Sequence, residues 1–194
     1  MVRDPGYCTL FGYAECRNAG KSKANEDMCA FHMGRFGCHT PYYLWVLSDG
    51  HGGWDAARFA VVEFPRIFSS TTREVCRMNI SNDINWTKTR TQVSAMIEDA
   101  FVRLDRVMFR ESEKRSKING ARIKGGCTML VVIVAKNMIW TASAGDSAAV
   151  GLSCENKDAK FVSTIHTVQS DRKRIQELGR LRPDLLEGVF TSRM

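Results

Sequence analysis

The segment from Tyr43 to Gly53 limits most strongly what this chain can fold into. It begins with the apolar, aromatic and β-branched run Tyr43–Leu47, whose composition is typical of a buried strand. The run ends at Asp49, and one histidine and three glycines make up the next four residues. Glycines let the backbone turn sharply and approach another group closely. The sequence therefore predicts a buried strand that ends at an acid, followed by a tight turn.

Asp49, the carbonyl group of Gly50 and the nearby imidazole of His51 provide the donors of a metal site. Mg²⁺ and Mn²⁺ prefer oxygen ligands, and a carboxylate beside a carbonyl fits that preference. The simpler interpretation is a turn in which Asp49 caps the following helix and His51 is merely exposed. Asp-Gly alone would favour the turn, but Asp-Gly-His-Gly-Gly after an apolar strand is more than a turn requires. We therefore favour a functional site.

Composition places the chain among ordinary globular proteins. Its 194 residues are 44% hydrophobic and 25% charged, and we predict a single domain over residues 1–194. The net charge of +7 is densest at Arg172–Arg174 and Arg180–Arg182. That balance would suit anionic partners, including phosphorylated proteins, although a solvated basic face is the simpler explanation. The chain carries no nucleic-acid motif and no apolar run of the roughly 20 residues that a membrane span needs.

Cysteine usage indicates a reducing compartment. The seven cysteines are odd in number and include no Cys-x-x-Cys pair, and the N-terminal residues do not resemble a secretory signal. We therefore expect free thiols and a location in the cytoplasm or the nucleus.

Hydrophobic patterns predict an α+β fold. Short strands separated by turns favour antiparallel pairing, and helices between two groups of strands favour helices layered on a sheet. A helix is expected from Trp54 to Phe64, with Pro65 expected to end or kink it, and a second one along the apolar stripe from Val93 to Met108. Residues 71–85 and 111–124 are expected to be loops. Strands are expected at Thr9–Ala14, Met28–Phe31, Tyr43–Leu47, Cys127–Ala135, Met138–Ala144, Ser147–Leu152 and Phe161–Thr164, and a short helix from Ser170-Asp171 to Leu178.

Four stretches together resemble the metal-dependent serine/threonine protein phosphatases of type 2C, in the order and at the spacing of that family. The resemblance covers most of the chain, and its finer details are closest to the animal subgroup that acts on phosphorylated Rab GTPases. This subgroup likeness is carried by Gly12–Glu15, Asn18–Ser22, Gly125–Thr128 and the segment from Arg174 to Thr191. The four stretches are Asn25-Glu26-Asp27, Asp49-Gly50-His51-Gly52-Gly53, Gly126-Cys127-Thr128 and Ala144-Gly145-Asp146-Ser147.

The resemblance implies an antiparallel β-sandwich flanked by α-helices, with two Mn²⁺ or Mg²⁺ ions between the sheets. It implies that Asp49 bridges both ions and that Glu26 and the carbonyl group of Gly50 bind one of them. Asp27 would hold metal-bound water, and Asp146 matches an acid of a weaker third metal site. Phosphoserine or phosphothreonine would be hydrolysed by a metal-activated water, without a covalent enzyme intermediate.

Two further roles follow from the same resemblance. His51 would be the general acid that protonates the leaving oxygen. The family commonly has an arginine for the substrate phosphate four residues before its metal-binding glutamate, and that position is Ser22 here. We therefore expect Lys21, Ser22 and Lys23 to contact the phosphate, with a lysine supplying a point charge without the bidentate geometry of arginine.

Later aspartates of the family have no counterpart in these 194 residues, so one of the two metal sites would keep only Asp49. We accordingly expect the phosphatase-like domain to be incomplete on its C-terminal side. Two functions remain open. One is a phosphatase that acts on a phosphorylated protein, such as a Rab-type GTPase. The other is a catalytically inactive phosphatase-like module or truncated isoform that binds phosphoproteins or another partner.

Overall fold

The computed structural model describes residues 12–16, 25–36, 40–78, 86–119, 122–153 and 157–181. Within these ranges, three helices and eight strands follow one another in an α+β arrangement. The helices are α1 (Asp55–Met78), α2 (Trp86–Asn119) and α3 (Arg172–Leu181). The strands are β1 (Met28–Phe36), β2 (Thr40–Ser48), β3 (Gly50–His51), β4 (Gly126–Cys127), β5 (Met129–Ala135), β6 (Met138–Ala144), β7 (Val150–Leu152) and β8 (Ala159–Phe161).

The central feature is a four-stranded antiparallel sheet in the order β1-β2-β5-β6. The two-residue strands β3 and β4 extend β2 and β5 in unbroken register, since Gly50 pairs with Cys127 beyond the pairing of Leu47 with Leu130. The strands β7 and β8 form a separate antiparallel pair. At the hairpin between β5 and β6, Lys136 takes a positive φ of 51°, and Lys136-Asn137 form the turn between the two expected strands.

One face of the sheet is covered by α1 and α2. Side chains alternate between the two faces of a strand, and in β2 the residues Tyr42, Leu44 and Val46 are each at most 1% exposed. They pack against the helical residues Phe64 and Phe68, which are fully buried. The hydrophobic core therefore lies between the sheet and the two long helices, as the periodicity of α2 predicts.

The opposite face carries an aromatic cluster. Phe31 of β1 pairs with Trp45 of β2, and their ring centroids lie 5.1 Å apart. Tyr43 lies 6.2 Å from each of these two rings. Phe31 remains 41% exposed, so this face of the sheet is only partly covered by the described residues.

Pro65 does not end the first helix, because α1 continues to Met78. A proline inside a helix costs about 3 kcal/mol or more. Phe64 and Phe68 lie on either side of it and are fully buried, and burying one large apolar side chain contributes about 1.5–3 kcal/mol. The hydroxyl-bearing residues after Pro65, whose polarity suggested a loop, are helical instead. Thr71, for example, donates its hydroxyl to the Ile67 carbonyl oxygen at 3.1 Å within α1.

Other boundaries also differ from the sequence-based expectation. The charged segment after residue 111 belongs to α2, where Arg115 pairs with Glu111 one helical turn away at 3.1 Å. The helix α3 runs to Leu181 instead of ending at Leu178. Of the strand expected at residues 9–14, residues 12–14 are not a strand, and residues 9–11 lie outside the described ranges. The last two strands are shorter than expected or shifted, since β7 begins at Val150 and β8 ends at Phe161.

Candidate active site

The predicted site residues come together where four strands end at one edge of the sheet. Met28, the first residue of β1, pairs with Ser48, the last residue of β2. Met129, the first residue of β5, pairs with Ala144, the last residue of β6. Antiparallel pairing thus aligns the residues just beyond these ends, although they lie far apart in the sequence. Those residues are Asp27, Asp49, Thr128 and Gly145.

Glu26 and Gly50 are in direct backbone contact at this edge. Gly50 is buried, and a Cβ atom at that position would overlap the carbonyl oxygen of Glu26. Only glycine therefore allows the chain leading into β1 to lie this close to β3. Asn25 helps to hold this segment in place, because its side-chain oxygen accepts a hydrogen bond of 3.2 Å from the Asp27 amide.

Asp49 is exposed, and its backbone is held by the neighbouring strand. Its carbonyl oxygen accepts a hydrogen bond of 2.8 Å from the Thr128 amide. The preceding residue, Ser48, is fully buried and donates its hydroxyl to the Thr128 carbonyl oxygen at 2.9 Å. Asp49 and the residue before it are thus both hydrogen-bonded to Thr128, which lies between β4 and β5.

His51 lies against a glycine-lined backbone. It pairs with Gly126 between β3 and β4, and its side chain is exposed. A Cβ atom on Gly126 would lie 2.7 Å from the Nε2 atom of His51, so the imidazole occupies the space that any other residue would fill. The adjacent Gly125 has a positive φ of 71° and contacts the His51 backbone, which glycine alone accommodates readily.

Replacing Gly126 by alanine is expected to displace the His51 imidazole and leave the fold intact, because the atom it meets belongs to a movable side chain. If His51 transfers a proton during catalysis, kcat should fall roughly tenfold, less than the ~10²-fold that a 1 Å misplacement can cost. Steady-state kinetics and a thermal melt would measure both effects. In a His51→Ala background the same substitution should have no further effect on kcat, and a full additional loss there would contradict this explanation.

Asp146 lies on the exposed loop after β6, and Gly145 precedes it with a positive φ of 108°. The Gly145 carbonyl oxygen accepts a hydrogen bond of 2.9 Å from the His166 amide. The Nδ1 atom of His166 lies 3.3 Å from Asp171, and Arg174 pairs with the same carboxylate at 2.6 Å. Arg174 first, and then His166, hold the pKa of the Asp171 carboxyl group below its usual value. Sequence reasoning gave His166 no role, since its partners are set by the fold of the following turn.

The donors at this edge suit a hydrated hard cation. Glu26 and Asp49 supply carboxylates and Gly50 supplies a carbonyl group, and Mg²⁺ typically binds one or two carboxylates while keeping several waters. Within the described ranges, no three His, Cys, Asp or Glu side chains gather closely enough to enclose an ion. The donor set thus matches the oxygen preference of a hard divalent cation.

Two other predicted features have different outcomes. Cys127 is a free thiol, as expected, and it packs against the hydrophobic core, where burial raises the pKa of its thiol. Lys21, Ser22 and Lys23 lie outside the described residues, so their contact with phosphate stays a prediction.

Among the described helices, none is both long and apolar enough to cross a bilayer.

Comparison with known proteins identifies the family. The model of the protein phosphatase 2C family matches residues 11–188 of this chain. The chain belongs to the protein phosphatase 2C family. The match includes all four stretches on which the resemblance rests and all the residues of the sheet edge described above.

Two curated members of the protein phosphatase 2C family resemble most of the chain. Human protein phosphatase 1J is 30% identical over 225 residues, which include 93% of this chain and 43% of that protein. Zebrafish protein phosphatase 1H is 36% identical over 266 residues, which include 93% of this chain and 50% of that protein. The chain therefore spans half or less of the length of these relatives.

A solved structure confirms the protein phosphatase 2C fold. The serine-threonine phosphatase 2C from Toxoplasma gondii superposes with a TM-score of 0.61 at 20% sequence identity, covering 81% of this chain and 51% of that one. Mixed α+β architecture with antiparallel sheets is thus confirmed as the fold class. The described strands correspond to part of such a domain.

Proposed function

We propose that this chain is a metal-dependent protein serine/threonine phosphatase that hydrolyses phosphoserine or phosphothreonine in proteins. The observation that carries the proposal is the sheet edge where Glu26, Asp27, Asp49, Gly50 and His51 meet. Membership of the protein phosphatase 2C family supports the reaction class, and family members depend on Mn²⁺ or Mg²⁺.

In this proposal the chain supplies an ion-binding edge and a proton donor. The carboxylates of Asp49 and Glu26 and the carbonyl group of Gly50 hold the ion, and the Asp27 carboxylate accepts hydrogen bonds from water beside it. When bound, divalent ions supply Lewis-acid activation of water and neutralise charge on phosphoryl oxygens. His51 gives a proton to the leaving seryl or threonyl oxygen, a step that typically contributes about 10²–10⁴-fold in rate.

Substrate recognition belongs to the same proposal. We infer that Lys21, Ser22 and Lys23 contact the substrate phosphate, because their place in the sequence precedes Glu26 by a few residues. A phosphorylated Rab-type GTPase is the substrate class that the subgroup motifs support. We also infer that Asp146 contributes to a weaker additional ion site, since its loop joins the same edge. We further infer that residues 1–194 are the N-terminal portion of a phosphatase domain; the chain covers 43% of human protein phosphatase 1J and 51% of the Toxoplasma gondii phosphatase chain, which supports a partial match.

The experiment that tests the proposal is hydrolysis of a phosphothreonine peptide by the purified chain. We expect phosphate release with Mn²⁺, its loss on adding EDTA and its return with excess Mn²⁺. A matched phosphotyrosine peptide should be hydrolysed far more slowly. Absence of Mn²⁺-dependent release from a chain that is folded by circular dichroism would contradict the phosphatase proposal.

A second candidate is a phosphatase-like module that binds phosphoproteins without hydrolysing them. Such a module would use the same sheet edge to contact a phosphorylated protein or another partner. Retention of an intact phosphorylated Rab-type GTPase by a folded but inactive chain, with weaker retention of the unphosphorylated form, would support this candidate instead.

A further inference from the structure

Thr128 lies between Asp49, which follows β2, and the loop after β6 that carries Asp146. Every polar atom of Thr128 has a partner: its amide donates to the Asp49 carbonyl oxygen at 2.8 Å, and its carbonyl oxygen accepts from Ser48 Oγ at 2.9 Å. Its hydroxyl oxygen accepts from the Asp49 amide at 3.4 Å and lies 2.7 Å from Ser147 Oγ. One residue therefore contacts both the backbone of Asp49 and the loop that carries Asp146.

The methyl group of Thr128 contacts the same loop. Gly145 has a φ of 108°, and a Cβ atom there would lie 2.6 Å from the Cγ2 atom of Thr128. Gly145 of this loop therefore packs on the Thr128 methyl group, and Ser147 of the same loop hydrogen-bonds the Thr128 hydroxyl group. Two independent contacts set the position of residues 145–147 relative to β5.

The bonding capacity of a hydroxyl group explains why threonine suits this position. A hydroxyl has one proton to donate and two lone pairs to accept with. Thr128 can therefore accept from the Asp49 amide while sharing a hydrogen bond with Ser147. Valine has nearly the same shape but can do neither, and serine keeps the hydroxyl while losing the methyl contact with Gly145.

We propose that Thr128 and Ser147 form a positioning pair, whose hydroxyl–hydroxyl hydrogen bond holds the loop bearing Asp146 at a set distance from Asp49. The pair touches no substrate atom and acts through these two acids. Its effect on ion binding and catalysis rests on the proposed phosphatase function, whereas the structural coupling does not. Outer contacts of this kind are typically worth about 10–100-fold in metal affinity or activity.

Mn²⁺ titration of the full chain, followed by the electron paramagnetic resonance signal of the free ion, tests the ion-binding consequence. We expect Thr128→Val to weaken Mn²⁺ binding about tenfold and Thr128→Ser to weaken it much less. Ser147→Ala should weaken binding to a similar extent as Thr128→Val, and the double variant should cost no more than the larger single effect. Binding by folded Thr128→Val that equals the wild type, or fully additive losses, would overturn the proposal.

Amide resonances of the ¹⁵N-labelled chain without metal test the coupling separately. We expect Ser147→Ala to shift the Asp49 amide resonance and to accelerate its hydrogen exchange, although residues 49 and 147 are far apart in the sequence. An unchanged Asp49 amide would overturn the positioning pair whether or not the wild type binds Mn²⁺. A wild type that binds no Mn²⁺ but shows the amide effect would refute the phosphatase proposal and leave the structural coupling established.

Discussion

Replacing Asp49 by asparagine is expected to lower Mn²⁺-dependent hydrolysis by about 10³-fold and to leave the melting temperature nearly unchanged. Asparagine preserves the shape of the side chain, and the hydrogen bonds that join the Asp49 backbone to Thr128 do not depend on the charge of the carboxylate. What is lost is the negative charge at an exposed strand end. Lewis-acid stabilisation by a bound ion is worth several kcal/mol, and each ~1.4 kcal/mol corresponds to a tenfold change in rate.

The matched control for this substitution is Asp105→Asn. Asp105 is an exposed carboxylate on α2, outside the sheet edge, and its neutralisation should leave hydrolysis within about twofold of the wild type because surface changes are usually small. Steady-state rates and Mn²⁺ titrations of the three proteins make the comparison. Hydrolysis by Asp49→Asn at the wild-type rate would show that Asp49 does not hold the ion.

Replacing Gly50 by alanine is expected to lower Mn²⁺-dependent hydrolysis by about 10²-fold. The new methyl group would overlap the carbonyl oxygen of Glu26 and lie 3.2 Å from the Ala57 Cβ atom. Because the overlapping atom belongs to the backbone, no side-chain rotation relieves the contact, and the segment leading into β1 must move away from β3. Glu26 and Asp49 would then no longer converge on one ion, and the overpacked site should lose about 1–3 kcal/mol of stability.

Gly12→Ala provides the matched control, because a Cβ atom on Gly12 meets no other atom within 4 Å. It should leave both activity and the midpoint of urea unfolding close to the wild type. Activity, Mn²⁺ affinity and the unfolding midpoint of the three proteins separate a local displacement from general destabilisation. Full activity in Gly50→Ala would mean that the close approach of Glu26 to Gly50 is not needed for function.

The sequence predicts the location of the site better than the length of the elements around it. The apolar run before Asp49 and the glycines after it predict the end of a strand from local sequence alone. In the structure, β2 ends at Ser48, directly before Asp49. The apolar stripe of α2 likewise predicts a core-facing helix. These features depend on residues that are close together in the chain.

Features that depend on distant residues could not be predicted in the same way. The helix α1 passes Pro65 because Phe64 and Phe68 are buried against the sheet, and nothing in the local sequence shows that burial. The contact of His166 with Gly145 and Asp171 forms only once the turn before α3 is folded. Thr128 appears in a recognised motif, but its hydrogen bonds to Asp49 and Ser147 emerge only from the strand register.

Because the site lies where four strands end, hydrolysis requires that these strands pair in their native register. Side chains alternate between faces, so a slip of β1 by one residue against β2 would exchange the positions of Glu26 and Asp27 and turn each to the wrong side. The β1-β2 pair and the β5-β6 hairpin are separated in the sequence by α1 and α2, and closing so long a connection carries an entropic cost before any contact is gained. A partly assembled sheet would thus retain helices and a compact core yet have no ion-binding edge. Recovery of hydrolysis during refolding should consequently lag behind recovery of helical circular dichroism.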